Sequence, residues 1–183
     1  MSETNTLSRS LHDVGLSAWF GGTLANAVAL NRAAGETERQ SDAGAVANAG
    51  WDRWTPVNAA AIGAHLVGSV GQLFGNKDRL LAQQGVGTMA LVKTGLTVAA
   101  LAVTGYSRVL GRRVSAERSV PVADGTTPSE STPREVSSAQ KQLAALQWAV
   151  PTLTGALIVV SAFAGEQQRP MSVLKGLTKR VAG

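Results

Sequence analysis

Aspartate, glutamate, lysine and arginine are nearly absent from four long stretches of this chain, and that distribution limits its fold more than any motif does. The stretches cover 14–31, 55–76, 80–107 and 142–165, with Lys93 the one ionic residue inside them. A helix needs about 20 mainly apolar residues to cross a hydrocarbon core of about 30 Å. A helix of a soluble protein shows a polar face with a period near 3.6. Residues 155–165 (GALIVVSAFAG) carry no charged or amide side chain on any face. The pattern predicts an all-α polytopic membrane protein: four transmembrane helices in antiparallel hairpins, approximately 14–31, 55–76, 83–107 and 142–165, in a single membrane domain over 1–183.

Composition supports that class. Charged residues make up 16% of the 183, against about a quarter in ordinary soluble domains. The absence of Cys excludes disulfide frameworks, zinc fingers and thiolate nucleophiles. Ala25-Asn26-Ala27 has a small-x-small cleavage pattern, but a secretory signal needs a basic leader, and Arg9 is the only cation before residue 14. The first span is therefore expected to stay.

The connections differ in character. Residues 32–54 read as a long polar connection, with Thr55 as an N-cap and Pro56 at the first helical position. Asn76-Lys77-Asp78-Arg79 reads as a tight turn. Residues 114–140 contain Pro121, Pro128 and Pro133 among Ser and Thr and read as a flexible linker. Over 167–183, Met171, Leu174, Leu177 and Val181 fall near one helical face, as in a basic amphipathic tail lying on a membrane. With alternating spans, Trp51, Trp54, Tyr106 and Trp148 share one membrane face as interfacial anchors. Lys and Arg divide seven against nine between the two sides, which leaves orientation nearly unbiased. A slight lean puts both termini inside.

Lys93 is costly at a helix centre and belongs in a bundle interior or a watered cavity. Counted from the turn near Arg79, His65 and Lys93 both lie about 16 Å deep. Asn26 and Thr154 reach a similar level, so Asn26, His65, Lys93 and Thr154 are the candidate intramembrane polar layer. A structural clip between spans, an ion or ligand site, and a charge turned to a partner are the three readings of that layer. His12 sits at the mouth of the first span, about 16 Å from the level of His65, so the two are not expected to ligate one iron. No cofactor and no metal site are expected.

Recognisable enzyme motifs are missing: there is no Walker A sequence, no HExxH and no G-x-S-x-G. A membrane enzyme would have to rest on His12, Asp13 and His65 without a nucleophile. The net charge of +5 is better matched to lipid headgroups than to nucleic acid, because Arg108, Arg112, Arg113 and Arg118 follow a span. Small residues four apart, such as Ala60, Ala64 and Gly68, allow close helix packing. Trp54-Thr-Pro56 and Trp148-Ala-Val-Pro151 form a weak internal echo.

Residues 12–31 (HDVGLSAWFGGTLANAVALN), followed by a polar loop and three Ala/Gly-rich spans, resemble four-span integral membrane proteins of high-GC actinobacteria, and the plasma membrane is the expected location. The resemblance implies the span pattern and no activity. The expected function is a non-enzymatic accessory or assembly component of a membrane complex, with lipid, complex subunits or its own copies as partners. The alternative is a small homo-oligomeric transporter or channel using His65 and Lys93.

Overall fold

Helix-favouring alanine continues past the edges of the charge-free stretches, and the helices continue with it. The structure, a computed structural model, describes residues 5–75, 85–117 and 120–166. Helix α1 covers Thr6–Ala25 and runs on through a π turn (Asn26–Leu30), an α turn (Asn31–Ala33) and a 3-10 turn (Ala34–Glu36). Helix α2 is Gln40–Gly75, α3 is Val86–Ala116 and α4 is Arg134–Glu166. Among the described residues there is no strand, only an isolated bridge between Val122 and Pro128. Three helices, α2, α3 and α4, are long and apolar enough to cross a membrane. Apolar side chains stand exposed on their outer surfaces, Leu91 and Phe74 at 75% and 70% among them, as suits helices facing hydrocarbon.

Two connections differ from the expectation. The polar connection at 32–54 shrinks to Thr37–Arg39 between the 3-10 turn and α2, because the Ala-rich segment 40–54 is itself helical. Pro56 lies inside α2 and is not a first-turn residue. Thr55 is not a cap: its hydroxyl donates to the Trp51 carbonyl at 2.8 Å, one turn back. The stretch 114–140 is not a loose linker over its described length. Its ends belong to α3 and α4, and between them the chain forms a hydrogen-bonded hairpin. There Asp124 accepts from the Thr126 and Thr127 amides, each at 2.7 Å, as short polar side chains do in turns. The hairpin docks on the helices through Val122 N–H to the Gln40 carbonyl and Gly125 N–H to the Asn31 carbonyl. The tail expected over 167–183 and the turn expected at 76–79 lie outside the described residues.

All neighbouring helices in sequence run antiparallel. One residue from each meets in the central layer: Trp19, Ala61, Ala100 and Val150. Helices α3 and α4 pack toward the hairpin end through Leu110, Val114, Val136 and Ala139. Helices α1 and α2 approach most closely, at glycines. A Cβ on Gly15 would strike the Ala61 carbonyl and the His65 amide, and one on Gly68 would strike the His12 amide and the Ser8 carbonyl. This contact fixes the register: Gly15 lies opposite His65, and His12 opposite Gly68.

The bands expected at the membrane face have internal roles as well. Trp51 donates its ring N–H to Asn31 Oδ1 at 2.9 Å, and Asn31 Nδ2 donates to Gln147 Oε1 at 2.8 Å. The Trp54 ring fills the space beside Gly22. Tyr106 donates to Gln142 Oε1 at 2.6 Å, and Trp148 is about half exposed. Nearby, Arg108 pairs with Asp52 at 3.0 Å, and the Asp52 side chain is more than half exposed. Exposed pairs contribute at most about 1 kcal/mol. Arg108→Ala is therefore expected to lower the melting temperature in detergent only slightly; a large drop would show that the pair is shielded from solvent.

Candidate functional site

A cavity of about 490 Å³ opens at the end of the bundle where α1 and α3 begin and α2 and α4 finish. Its wall is mostly apolar, with Leu66, Val70, Leu73, Val86, Met89, Val98 and Leu101. Among the described residues, its charged lining residues are Arg9 and Asp13 from α1 and Lys93 from α3; His12, Thr94, Thr97 and Ser161 add polar groups. Lys93 feels the charges of both Asp13 and Arg9. Asp13 of α1 thus lines the same cavity as Lys93, although no carboxylate lies within an apolar stretch of the sequence. The difference arises because α1 starts at Thr6, two turns before the apolar run, and carries Asp13 at the cavity rim, where its side chain is 70% exposed.

His12 and His65 are both buried, 1% and 0% exposed, and their ring centroids are 4.6 Å apart. The expected depth difference between them is therefore wrong. It assumed that the first helix starts at residue 14, whereas the α1–α2 register is set by the glycine contacts. His12 Nδ1 lies 2.7 Å from Asp13 Oδ1. A carboxylate accepts and cannot donate, so Nδ1 carries the proton and Nε2 of the neutral ring presents a lone pair. That Nε2 has no hydrogen-bond partner, and neither has His65 Nδ1, although the His65 ring also interacts with the His12 backbone. His65 Nε2 is 3.4 Å from Thr97 Oγ1, and the Trp19 ring centroid is 6.1 Å from that of His65.

The four residues of the expected polar layer separate. His65 stands level with Thr97, and Lys93 sits one turn nearer the cavity mouth. Thr154 is fully buried and gives its hydroxyl to the Val150 carbonyl at 2.8 Å, which leaves it a helix-internal role. Asn26 does not share the level: it lies eleven residues along α1 from Gly15, the residue opposite His65, or about 16 Å away. The sequence reading missed Arg9, Asp13 and Thr97 as cavity residues. A signal for the histidine pairing was present in the twin tetrads His12-Asp-Val-Gly15 and His65-Leu-Val-Gly68. In an antiparallel helix pair, two copies of H-x-V-G place each histidine opposite the other copy's glycine.

The fold and cavity define an all-helical protein with membrane-length helices and a polar-headed, apolar-walled pocket at one end. Comparison with known proteins finds no matching family, no similar curated protein and no similar solved structure.

Proposed function

We propose that this chain is a four-span plasma-membrane protein that binds an anionic amphipathic ligand in the cavity between its helices. The observation that carries this is the charge set of the pocket: among the described residues its lining holds the cations Arg9 and Lys93 and one carboxylate, Asp13, which is already engaged by His12. Net positive charge in an apolar pocket matches an acid headgroup on a hydrophobic body. Pockets that enclose cofactor-sized ligands span about 300–1,000 Å³, and this cavity falls within that range. A fourth crossing by α1 is supported by its length. Thr6–Ala25 spans about 30 Å at 1.5 Å per residue, and the helical turns to Glu36 extend it further. Lys93 then lies about 10 Å inside the end of α3, where a headgroup can reach it from the membrane face.

Binding of a fluorescent fatty acid, cis-parinaric acid, to the detergent-solubilised chain tests the reading. Its methyl ester serves as the neutral control. The acid is expected to bind well and the ester poorly. Lys93→Met is expected to weaken the acid about tenfold or more, the effect of losing one charged hydrogen bond. Equal binding of acid and ester, unchanged in Lys93→Met, would refute it.

A second reading, an accessory subunit of a membrane complex, draws on the outward face of α3. Only 6% of its most apolar stretch is buried. Gly87, Gly95 and Gly105 have open space beside them and fall within about 80° of one another on the helix. A partner helix could approach closely there. Co-purification of a stoichiometric partner in mild detergent, lost in Gly95→Leu, supports this reading; recovery of the chain alone counts against it.

A further inference from the structure

We propose that the amphipathic ligand of this cavity is an anionic glycerophospholipid of the surrounding bilayer, with its phosphate held between Arg9 and Lys93 and an acyl chain laid along the cavity wall. The inference rests on the anionic-ligand reading and names the ligand class and its source. Its first support is the level of the two cations. The Trp19 ring N–H donates to Thr104 Oγ1 at 3.3 Å, which sets α1 against α3. The two helices run in the same direction, so ten residues back along each, Arg9 comes level with Thr94, the neighbour of Lys93. The charge of Arg9 acts on Lys93 accordingly. Gly71 of α2 abuts Ser8, so this level lies about 6 Å inside the end of α2 at Gly75. Long cationic side chains at that depth reach the headgroup layer while their stems stay among apolar groups. Two like charges brought together there repel, and a phosphate between them gives each a charged acceptor oxygen.

The second support is an opening on the flank of the bundle. Val70 and Leu73 of α2 and Val98 of α3 line the cavity and are nonetheless 52%, 50% and 59% exposed. Val98 stands about 18 Å along α3 from Val86, too deep for its exposure to come from the end of the bundle. The cavity therefore reaches the lipid-facing flank of α2 and α3, where the surroundings are hydrocarbon. A lipid already in the leaflet fits that shape: one chain lies against Leu66, Val98 and Leu101, and the other stays in the bilayer. The third support is charge balance. Among the described residues the lining holds two cations, Arg9 and Lys93, and one carboxylate, Asp13. The excess of one positive charge is neutralised by a single phosphodiester anion. A zwitterionic lipid leaves it uncompensated and brings its own cation toward Arg9 and Lys93.

The test is native mass spectrometry of the delipidated full-length chain in neutral detergent, titrated with dioleoyl phosphatidylglycerol or dioleoyl phosphatidylcholine. The wild-type protein is expected to retain phosphatidylglycerol at one equivalent and to bind it about tenfold or more tightly than phosphatidylcholine, the effect of two cations on one anionic headgroup. Lys93→Met and Arg9→Gln should each bring phosphatidylglycerol toward the phosphatidylcholine value. Lys93→Arg, which keeps the cation, should retain most of the preference and so separates charge from packing. Glycerol phosphate, the same acceptor chemistry without chains, should not displace the lipid. Equal affinity for the two lipids, or a preference that survives both charge-removing variants, would overturn the inference; if cis-parinaric acid still binds through Lys93, the anionic-ligand reading survives. Displacement by glycerol phosphate as effective as that by added lipid would also overturn it, because the ligand would then come from water. If neither phospholipid nor fatty acid binds, both fall.

Discussion

Gly68→Ala and Gly15→Ala are each expected to lower the thermal stability of the purified protein sharply, whereas Gly63→Ala and Gly21→Ala leave it unchanged or slightly raise it. The added methyl is the same in all four; the surroundings differ. At Gly15 and Gly68 the methyl would enter the backbone of the facing helix, at Ala61 and His65 in one case and Ser8 and His12 in the other. Backbone cannot rotate aside as a side chain can, so α1 and α2 must separate. Forcing extra volume into a packed contact costs about 1–3 kcal/mol, occasionally more. At Gly63 and Gly21 nothing lies within 4 Å, and removing a helical glycine gains up to about 1 kcal/mol. The contrast also reads out the site, because the same separation pulls His12 from His65. Melting curves that superimpose for Gly68→Ala and Gly63→Ala would contradict the close approach of the two helices.

Asn31→Leu is expected to have the second large effect, at the opposite end of the bundle. Asn31 is 1% exposed and its side chain is used at both ends: Oδ1 accepts from Trp51 and Nδ2 donates to Gln147. It thereby ties α1 to α2 and α4, while its carbonyl holds the 120–133 hairpin through Gly125. Leucine conserves the size and leaves the indole N–H and the Gln147 oxygen without partners. Each orphaned buried polar group costs about 1–3 kcal/mol, so a total of at most about 6 kcal/mol is expected from chemical unfolding in detergent. A double-mutant cycle with Gln147→Leu should show a coupling of about 0.5–3 kcal/mol. Additive losses in that cycle would show that the two amides act separately.

Much of the helical content was legible in the sequence. The charge-free stretches over 55–76, 80–107 and 142–165 mark the three membrane-length helices, because a run of apolar residues longer than five turns leaves no polar face for water. Helix ends were less legible. Ala-rich residues 40–54 carry Asp42, Asp52 and Arg53 and so looked like a connection, yet charge on an alanine background does not stop a helix. Pro56 suggested a helix start, since proline suits a first turn. Here the cost of the missing N–H inside α2 is accepted, with Thr55 bonding back to Trp51 across the same turn.

The site was legible in its residue types and not in its membership. His65 and Lys93 stood out because polar groups are costly among apolar neighbours, and both are at or beside the cavity. Asn26 was assigned to their level and lies elsewhere; His12 was assigned to the mouth of the first span and lies against His65, and Asp13 lines the same cavity as Lys93. By itself the sequence determined that this chain forms long apolar helices and which of their side chains are costly to bury. Which of those side chains meet was decided only by the tertiary structure. Helix length and hydropathy are local properties, but the level of one helix against another is set where Gly15 meets Ala61 and His65 and Gly68 meets Ser8 and His12. Those partners are about fifty residues apart in the chain, and only packed backbone fixes their alignment.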